Sequence, residues 1–579
     1  MRFFLHLLFV SQLFFQLKAQ QSFVPDTLKA TDRALGATDS LLQFMNGFAS
    51  PFFYAPNQEF PHTWDLFKPG LSNLSVGNYT KKDLLFSALP HLGFAYGFGA
   101  QGSQRLRLDY EQQFYRNTLF NLRYDRFQQS GFIRASELRY SSLDLKFLYD
   151  HRRTKILASF DNLSNDRQWS GGLLNWEQLQ SGNAALLPVQ KVESFTFQNA
   201  YRGQIETSFA ILQDSIKGVY LVSKHMYQST IRRYEETDSL ELYYPQLFLS
   251  TDSCRDLFST QMLTNDVGIA YQSKLLKART ALQYKSLKWQ DTQLFYDTTE
   301  INLDNSLELE QKGWRFTHKS QLNLVGAAQG LTTANRMDIA LPKGKIYISH
   351  FYQNAWPELI ERSYQSNLTS YQQLQPEREQ LSLSQFKYSL TQSNLHLILN
   401  LQYMRAKQIY RFDLPSMNWS LEGPQQALEA ALKLEYKRQA WRWILFNQYT
   451  NWKREDQFVL PPMQSSLGLQ WEGGVFKEKQ LKMHLGAKFY ALYGASTRRI
   501  QYLPFIESIN WQIYETAAIN PVVAIYNAQL DIALEVKTFR FFVQASNLLS
   551  AVDYTASMFS GIPYPAMQLR LGLTWDFWN

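Results

Sequence analysis

Apolar and polar residues alternate along most of the chain after residue 88, and the final segment shows this most clearly. In residues 565–577 every second residue is apolar, and the residues between them are small, polar or charged. An alternation with a period of two predicts a β-strand with one apolar and one polar face. The apolar face carries Met567, Leu569, Leu571, Leu573, Trp575 and Phe577, and the other face carries Gln568, Arg570, Gly572, Thr574 and Asp576.

The same pattern recurs throughout the chain, and the apolar side of a segment often ends in an aromatic residue. In membrane β-barrels the lipid-facing side is apolar, the lumen is polar, and aromatic girdles lie at both interfaces. Each segment alone is a weak signal, but the repetition favours an all-β transmembrane antiparallel barrel with a polar lumen over a soluble sandwich. The clearest segments besides the last are 117–127, 300–311, 394–403, 426–437 and 524–536.

The connections between these segments alternate between short and long, as periplasmic turns and outer loops do in such barrels. This alternation predicts an even number of strands, about 22 within a range of about 16 to 22, including weakly patterned segments at 334–341 and 344–352. Short gaps fall near 115–117, 149–153, 213–218, 275–278, 311–314, 341–344, 391–394, 437–440, 473–479 and 536–539. Longer gaps include 163–191, 229–263, 353–378, 406–425, 492–523 and 549–565.

The first 87 residues do not follow this pattern. Residues 1–19 have a basic start at Arg2, an apolar core and a small residue at Ala19, which predicts a secretory signal peptide rather than a membrane anchor. Residues 20–87 contain many aromatic residues and several prolines, which favours a periplasmic tail that can enter the lumen over a disordered linker. Residues 88–579 are the predicted barrel, and the predicted location is the cell outer membrane.

Composition narrows the possible functions. The single cysteine excludes an internal disulfide and a cysteine-rich metal site. The net charge of +8 is not concentrated in basic runs, so no nucleic-acid partner is expected. No common catalytic or nucleotide-binding motif is present, and the nine histidines are scattered. We therefore predict no enzyme activity, no cofactor and no metal, although an outer-membrane barrel hydrolase remains an alternative.

Several motifs are similar to those of the putative porins found in the outer membranes of Bacteroidota, a group of Gram-negative bacteria. They are "LRYDRFQQSGFIRAS" at 122–136, the pair Gly171–Gly172, "NLLSAVDY" at 547–554 and "YPAMQLRLGLTWDF" at 564–577. The chain departs from that family at "MNGFASP" in 45–51, where a Leu-Gly-Asn type of turn is usual, and at Trp578 and Asn579, which extend beyond the usual final aromatic residue. The resemblance implies a porin for passive diffusion of small polar solutes.

Two other classes are weighed against this interpretation. The predicted tail is shorter than the plug domain of a TonB-dependent transporter, which disfavours that class. A barrel scaffold for a surface or periplasmic partner remains the main alternative to a porin. The expected partners of a porin are the lipid bilayer, the barrel-assembly machinery and small polar solutes.

Candidate functional residues follow from the faces of the predicted strands. The pore-lining candidates are Asn121, Arg123, Asp125, Glu429, Lys433, Glu435, Gln568, Arg570 and Asp576. The spacing of Arg570, Gly572, Trp575 and Phe577 looks like the C-terminal signal that barrel-assembly machinery reads. His396 and His484 lie on polar faces, and Glu308, Glu310 and Asp531 are expected to pair with lysine or arginine of the wall. The loops 163–191 and 229–263 are expected to fold inward and narrow the lumen.

Overall fold

The computed structural model describes residues 89–578, except for 116, 152, 176–177, 179–185, 215–216, 245, 327–329, 358, 373–375, 414–417, 453–462, 477–479, 494–500, 504–507, 511–523 and 552–565. The predicted signal peptide at 1–19 and the predicted tail at 20–87 lie outside the described residues. Among the described residues, no helix is long and apolar enough to span a membrane.

Twenty-two strands form one closed antiparallel sheet in the described part of the chain. The first eleven are His91–Gly99, Gln104–Tyr115, Thr118–Gln129, Leu138–His151, Thr154–Gln168, Ser194–Gln213, Gly218–Glu236, Cys254–Gln272, Leu276–Gln290, Phe295–Gln311 and Trp314–Val325. The other eleven are Leu331–Leu341, Gly344–Ala355, Glu379–Gln392, Leu395–Asp413, Gln425–Arg438, Trp441–Trp452, Met463–Gly474, Leu481–Tyr493, Ala524–Val536, Phe539–Ser546 and Gln568–Trp578.

Each barrel strand pairs with the next one along the chain, and the last strand pairs with the first. His91–Gly99 lies between Gln104–Tyr115 and Gln568–Trp578, and its register with the last strand runs from His91↔Trp578 to Gly99↔Arg570. No strand edge of the barrel is therefore left open, as a lipid environment requires. The prediction of an antiparallel barrel with an even number of strands, and the best count of 22, are confirmed.

The two faces of the sheet differ as the alternation predicts. In strand Ala524–Val536, the side chains of Tyr526, Leu530 and Ile532 are 47–50% exposed, whereas those of Asn527 and Gln529 are 1% exposed. An apolar outer face and a polar inner face suit a barrel that has lipid outside. In the described part of the sheet most apolar side chains lie on the outer face, and a small cluster of Leu381, Met404, Ala406 and Ala427 is buried on the inner face.

The ten predicted short turns are present and lie on one side of the barrel. Several contain only two residues, and the first residue of three of them has a positive φ: Ser393 (46°), Gln439 (53°) and Lys537 (54°). Two-residue hairpins favour this left-handed conformation because it matches the twist of the strands. The weakly patterned segments 334–341 and 344–352 are also strands, Leu331–Leu341 and Gly344–Ala355.

The outer connections differ more from expectation. Strands Gly218–Glu236 and Cys254–Gln272 are each 19 residues long, so the prediction that 229–263 is one loop is wrong at both ends. The connections at 291–294 and 326–330 are as short as the periplasmic turns. Local alternation did not reveal these limits, because the long strands continue beyond the apolar band with polar residues on both faces.

Candidate functional site

The inner wall of the barrel carries charged residues of both signs, and most of those described below are paired. Nη2 of Arg105 donates to Oδ2 of Asp125 at 2.5 Å, and both side chains are buried. Asp109 accepts hydrogen bonds from Nε of Arg107 at 2.8 Å and from Nε of Arg123. Further cross-strand ion pairs join Arg202 to Asp161, Lys285 to Glu300, Arg442 to Glu435 and Arg540 to Glu535. This wall can replace part of the hydration of a polar solute without a strong net field.

The nine predicted pore-lining residues all lie on the inner face of the sheet. Asn121 donates to Oε2 of Glu111 at 3.1 Å, and Glu435 accepts from Nε of Arg442 at 2.7 Å. Arg123 and Asp125 belong to the pairs described above, while Lys433 is half-buried. Glu429, Gln568 and Arg570 are buried, and Asp576 contacts His91 of the first strand. Their role as the lining of a conducting pore stays a prediction.

Of the other predicted wall residues, Glu310 is exposed and has no ion-pair partner among the described residues, whereas the remaining four have polar partners. Glu308 accepts from Nζ of Lys277 at 2.6 Å and from Nη2 of Arg315 at 2.5 Å, as the sequence suggested. Oδ1 of Asp531 instead accepts from the side-chain amides of Gln529 and Gln544, at 2.8 and 2.9 Å. His396 contacts the hydroxyl of Thr391 at 2.9 Å, and His484 lies 3.5 Å from Glu535. Each histidine thus has a polar neighbour on the wall.

The last strand shows why its signal residues have these types. Gly572 faces inward under the ring of Phe542, its cross-strand partner. A Cβ at Gly572 would lie 2.4 Å from that ring, so a larger residue would displace it. Trp575 and Phe577 are exposed on the outer face, with ring centroids 4.2 Å apart. This fits an aromatic girdle, and recognition by assembly machinery stays a prediction.

A cavity of about 480 Å³ lies on the inner side near the periplasmic ends of several strands. Its charged lining residues are Asp150, Arg153, Lys155, Lys277, Arg279, Glu308 and Lys319. Cations outnumber carboxylates in this set, five to two. In the described part of the chain Lys319 has no ion-pair partner, whereas Glu308 is already held by Lys277 and Arg315. The cavity is therefore a positive region within a wall of otherwise mixed charge.

The outer mouth is narrowed by a segment that the sequence patterns did not reveal. In the connection 356–378, a short helix, Leu359–Arg362, precedes two paired strands, Ser363–Gln365 and Ser370–Gln372. We call residues 363–372 the mouth hairpin. It leaves the barrel after strand Gly344–Ala355 but contacts strand Cys254–Gln272, five strands away, which is roughly 24 Å at ~4.8 Å per strand. Since the contacted side chains are on the inner face, the hairpin lies inside the mouth.

Asn367 at the tip of the mouth hairpin holds this position through its backbone and its side chain. Its backbone N–H donates to Oδ1 of Asp256 at 2.9 Å, and its side-chain Oδ1 accepts from the N–H groups of Leu249 and Ser250 at 2.7 and 2.8 Å. Its Nδ2 donates to the carbonyls of Ser250 and Ser253, at 2.8 and 3.1 Å. One side chain thus connects the hairpin to loop 237–253.

A cluster of apolar side chains, which we call the mouth core, packs beneath the hairpin. Leu368 and Tyr364 of the hairpin are fully buried in it, as is Cys254. The cluster consists of Tyr234, Leu240, Cys254, Phe258, Trp289, Ile360, Tyr364, Leu368, Tyr371 and Phe412. These residues come from strands and loops that are distant in sequence, so the mouth core fixes the hairpin against one side of the wall.

A second contact joins the loops 169–193 and 237–253. Nζ of Lys191 lies 2.8 Å from Oε1 of Glu236, donates to the hydroxyl of Tyr244 at 2.5 Å and lies 4.4 Å above its ring. Burial lowers the pKa of Lys191, and the nearby Glu236 carboxylate opposes this effect. Burial, together with Tyr234 and Glu236, raises the pKa of Tyr244 well above its usual value. Of loop 163–191, residues 163–168 are strand, and Leu173 and Val189 pack with Phe132 and Ile133.

A sequence signal for the mouth hairpin existed. The triplet Ser-Tyr-Gln occurs at 363–365 and again at 370–372, separated by the polar turn Ser-Asn-Leu-Thr. The two triplets pair, so that Tyr364 lies opposite Tyr371. A symmetric tyrosine-bearing segment of this kind indicates a short hairpin, although its docking partner could not be read from it. Within the described residues, no three His, Cys, Asp or Glu side chains form a group that could hold a metal ion.

Comparison with known structures finds the same architecture in other large β-barrels. The copper transporter OprC shares 10% identity, with a TM-score of 0.64 over 85% of this chain and 81% of that one. The siderophore receptor PirA from Acinetobacter baumannii shares 10% identity, with a TM-score of 0.58 over 86% and 81%. The FrpB iron transporter from Neisseria meningitidis (F3-3 variant) shares 9%, with a TM-score of 0.58 over 86% and 83%. At these identities the likeness shows the fold alone.

A closed barrel of this size, apolar outside and polar inside, defines an outer-membrane β-barrel protein. The chain belongs to a family described as "Putative porin", whose sequence model matches residues 78–579. A comparison with curated proteins gives no match. The resemblance noted from the sequence motifs is therefore confirmed at the level of the family.

Proposed function

We propose that this protein is an outer-membrane porin that lets small polar solutes diffuse passively. The observation that carries the proposal is the inner wall, where cationic, anionic and amide side chains follow one another around the sheet. Such a wall replaces part of the hydration of a solute, while width and charge select. The mouth hairpin is the narrowing element on the outer side, and no chemical step is needed.

Conductance of the purified protein in planar bilayers tests this proposal. Ser363 and Gln372 are cross-strand partners, so their Cα atoms are roughly 5 Å apart and two glycines can replace residues 364–371. We expect the intact protein to form a water-filled channel, and the conductance of the shortened variant to be at least roughly two-fold higher. Absence of conductance from both folded proteins would count against the porin and favour the scaffold.

The positive cavity predicts the direction of ion selectivity. Lys319→Glu should shift the reversal potential in a salt gradient toward cation preference, because it changes the charge of the cavity by two units. Since the Debye length is about 8 Å at physiological salt and about 30 Å at 0.01 M, the shift should be a few millivolts at high salt and clearly larger at low salt. The intact channel should favour anions weakly.

Lys312→Glu provides the matched control for this measurement. Lys312 is an exposed residue of a periplasmic turn and, in the described part of the chain, has no ion-pair partner. The Lys312→Glu variant makes the same change of two charge units, but outside the cavity. If both variants shift the reversal potential equally, the cavity does not set selectivity.

Export by an N-terminal signal peptide, an origin in Bacteroidota and recognition of the last strand by barrel-assembly machinery rest on the sequence. The scaffold alternative predicts a stoichiometric partner that purifies with the protein in the absence of conductance. The hydrolase alternative gains no support from the family, which is named for pores.

A further inference from the structure

One sector of the outer face of the barrel is polar at the depth of the bilayer. We call eight residues of this sector the polar band: Thr280, Asn305, Ser320 and Thr333 in one row, and His318, Asn335, His350 and Ser384 in the next. Within each row, successive residues are direct cross-strand partners. The band therefore runs continuously across six neighbouring strands, from Leu276–Gln290 to Glu379–Gln392.

The side chains of the polar band share their face with lipid-facing residues. Leu282, Leu322, Met337 and Ile348 alternate with members of the band on the same strands, and they are 36–53% exposed. Asn335 lies near the middle of Leu331–Leu341, a strand of 11 residues. Because a strand of about 9–11 residues spans the bilayer, the centre of the band lies within the hydrocarbon region.

The opposite wall shows that this is not a general property of the barrel. In strands Leu481–Tyr493, Ala524–Val536 and Phe539–Ser546 every outward position is apolar or tyrosine. Leu485, Phe489, Leu530, Ile532 and Phe541 are exposed members of that surface. The barrel thus has one wall suited to lipid and another wall where the polar band interrupts the apolar surface, and the outward pairs Thr207–Ser223 and His225–Asn265 extend that interruption to the strands between Ser194 and Gln272.

The polar band has unused hydrogen-bonding capacity. Oγ1 of Thr280 donates to Oδ1 of Asn305 at 3.0 Å, and Nδ1 of His318 contacts Oδ1 of Asn335 at 2.8 Å. Nδ1 of His350 contacts the hydroxyl of Ser384 at 3.0 Å. Within the described residues, the amide nitrogens of both asparagines and Nε2 of both histidines make no further hydrogen bond. Lipid tails cannot satisfy these groups, whereas another protein surface can.

The outer rim is also low in this sector. Two short connections on the outer side, 291–294 and 326–330, join strands that carry the polar band, and the outer connection 100–103 is similarly short. The strands from Trp314 to Ala355 have 11 or 12 residues, compared with 19 or 20 in the tall wall from Ser194 to Gln272. A second barrel can therefore approach the strands between Leu276 and Ala355 without meeting a long loop between them, and the mouth hairpin of the connection 356–378 is packed inward.

We propose that the polar band is the contact surface between two copies of this chain, which lie side by side in the membrane. The band contains amide donors and imidazole acceptors, so it can pair with itself across a two-fold axis along the membrane normal. The four central strands of the band, at ~4.8 Å each and a height of ~25 Å, give roughly 500 Å² per copy. The two copies together reach the ~1,000 Å² needed for a specific interface. Asn335 lies near the axis.

Cysteine cross-linking in outer-membrane vesicles tests this proposal. The native Cys254 is fully buried and does not interfere. After oxidation, most of the Asn335→Cys variant should run at twice the monomer mass on non-reducing gels. Ile532→Cys, an exposed outward position on the apolar wall, is the matched control and should stay monomeric. Equal yields from both positions, or no dimer at 335, would overturn the proposal.

A second variant separates the role of the polar groups from that of position. The triple change His318→Leu, Asn335→Leu and His350→Leu makes the band apolar and should preserve the barrel, seen as unchanged gel mobility of unboiled protein. Native mass spectrometry in detergent should find the wild type mainly dimeric and the triple variant mainly monomeric. A triple variant as dimeric as the wild type, or a monomeric wild type, would contradict the proposal, and neither result depends on conductance.

Discussion

Asn367→Ala is expected to make Cys254 react with a maleimide in the folded barrel, whereas the wild-type thiol is protected. Cys254 is the single cysteine of the chain and is 0% exposed in the mouth core. The substitution removes four side-chain hydrogen bonds that hold the mouth hairpin to residues 249–253. Without them, the hairpin should detach more often and uncover the thiol.

The size of this effect follows from the groups left without partners. A buried donor or acceptor that loses its hydrogen bond costs about 1–3 kcal/mol, and water entering the loop offsets part of this. Docking of the hairpin should therefore weaken by roughly 2–4 kcal/mol. If labelling requires transient opening, its rate should rise by about one to three orders of magnitude. The labelling rate is followed by mass spectrometry.

Ser370→Ala is the control for this experiment. Ser370 is exposed on the same hairpin, and it makes no side-chain hydrogen bond within the described residues. Its variant should label as slowly as the wild type. A wild-type thiol that already reacts like an unfolded one, or equal rates in all three proteins, would show that the hairpin does not seal the mouth core.

Leu282→Arg is expected to destabilise the barrel by about 2–4 kcal/mol, since it places a charge on the lipid face. Leu282 is 53% exposed outward, between its cross-strand partners Val267 and Leu303. The free energy of unfolding in urea is measured on protein refolded into vesicles, with the gel mobility of unboiled samples as the signal. Boiled and unboiled samples should migrate differently because the closed barrel resists SDS.

The neighbouring change Gln283→Arg is the matched control for Leu282→Arg. Nε2 of Gln283 faces inward and donates to Asp266 at 3.0 Å and to Asp304 at 3.2 Å. An arginine there meets two carboxylates but cannot accept from Asn302 and Gln321, which donate to Oε1 of Gln283 at 2.9 and 3.2 Å. These effects oppose each other, so the change in stability should be within about 1 kcal/mol. If the two variants are equally destabilised, the faces of this strand are assigned wrongly, because a slip of one residue exchanges them.

The barrel itself could be predicted from the sequence because its rules are local. A period of two determines which side chains face lipid, and short turns appear where the alternation breaks. The last strand, the ten turns and the weak segments near 334–352 were all recognisable in this way. The inward position of residues such as Arg123, Glu429 and Arg570 follows from the same alternation.

The docking site of the mouth hairpin could not be predicted, because its position depends on distant contacts. Asn367 bonds to residues 111–118 positions away in the chain, and nothing local to Ser363–Gln372 specifies them. The length of Gly218–Glu236 was missed for a related reason. Above the bilayer both faces of a strand can be polar, and the alternation that reveals a strand disappears.

The pairing of the first and last strands, which closes the barrel, constrains how the chain folds. Every other pairing in the barrel joins neighbours along the chain, but His91 meets Asp576 at 3.0 Å across 485 positions. Closing that ring carries the largest loop-closure entropy in the barrel and must come last. Until then, an open ribbon of hairpins with two unpaired edges has to be kept from aggregating, so assembly should be slow and limited by a single late step.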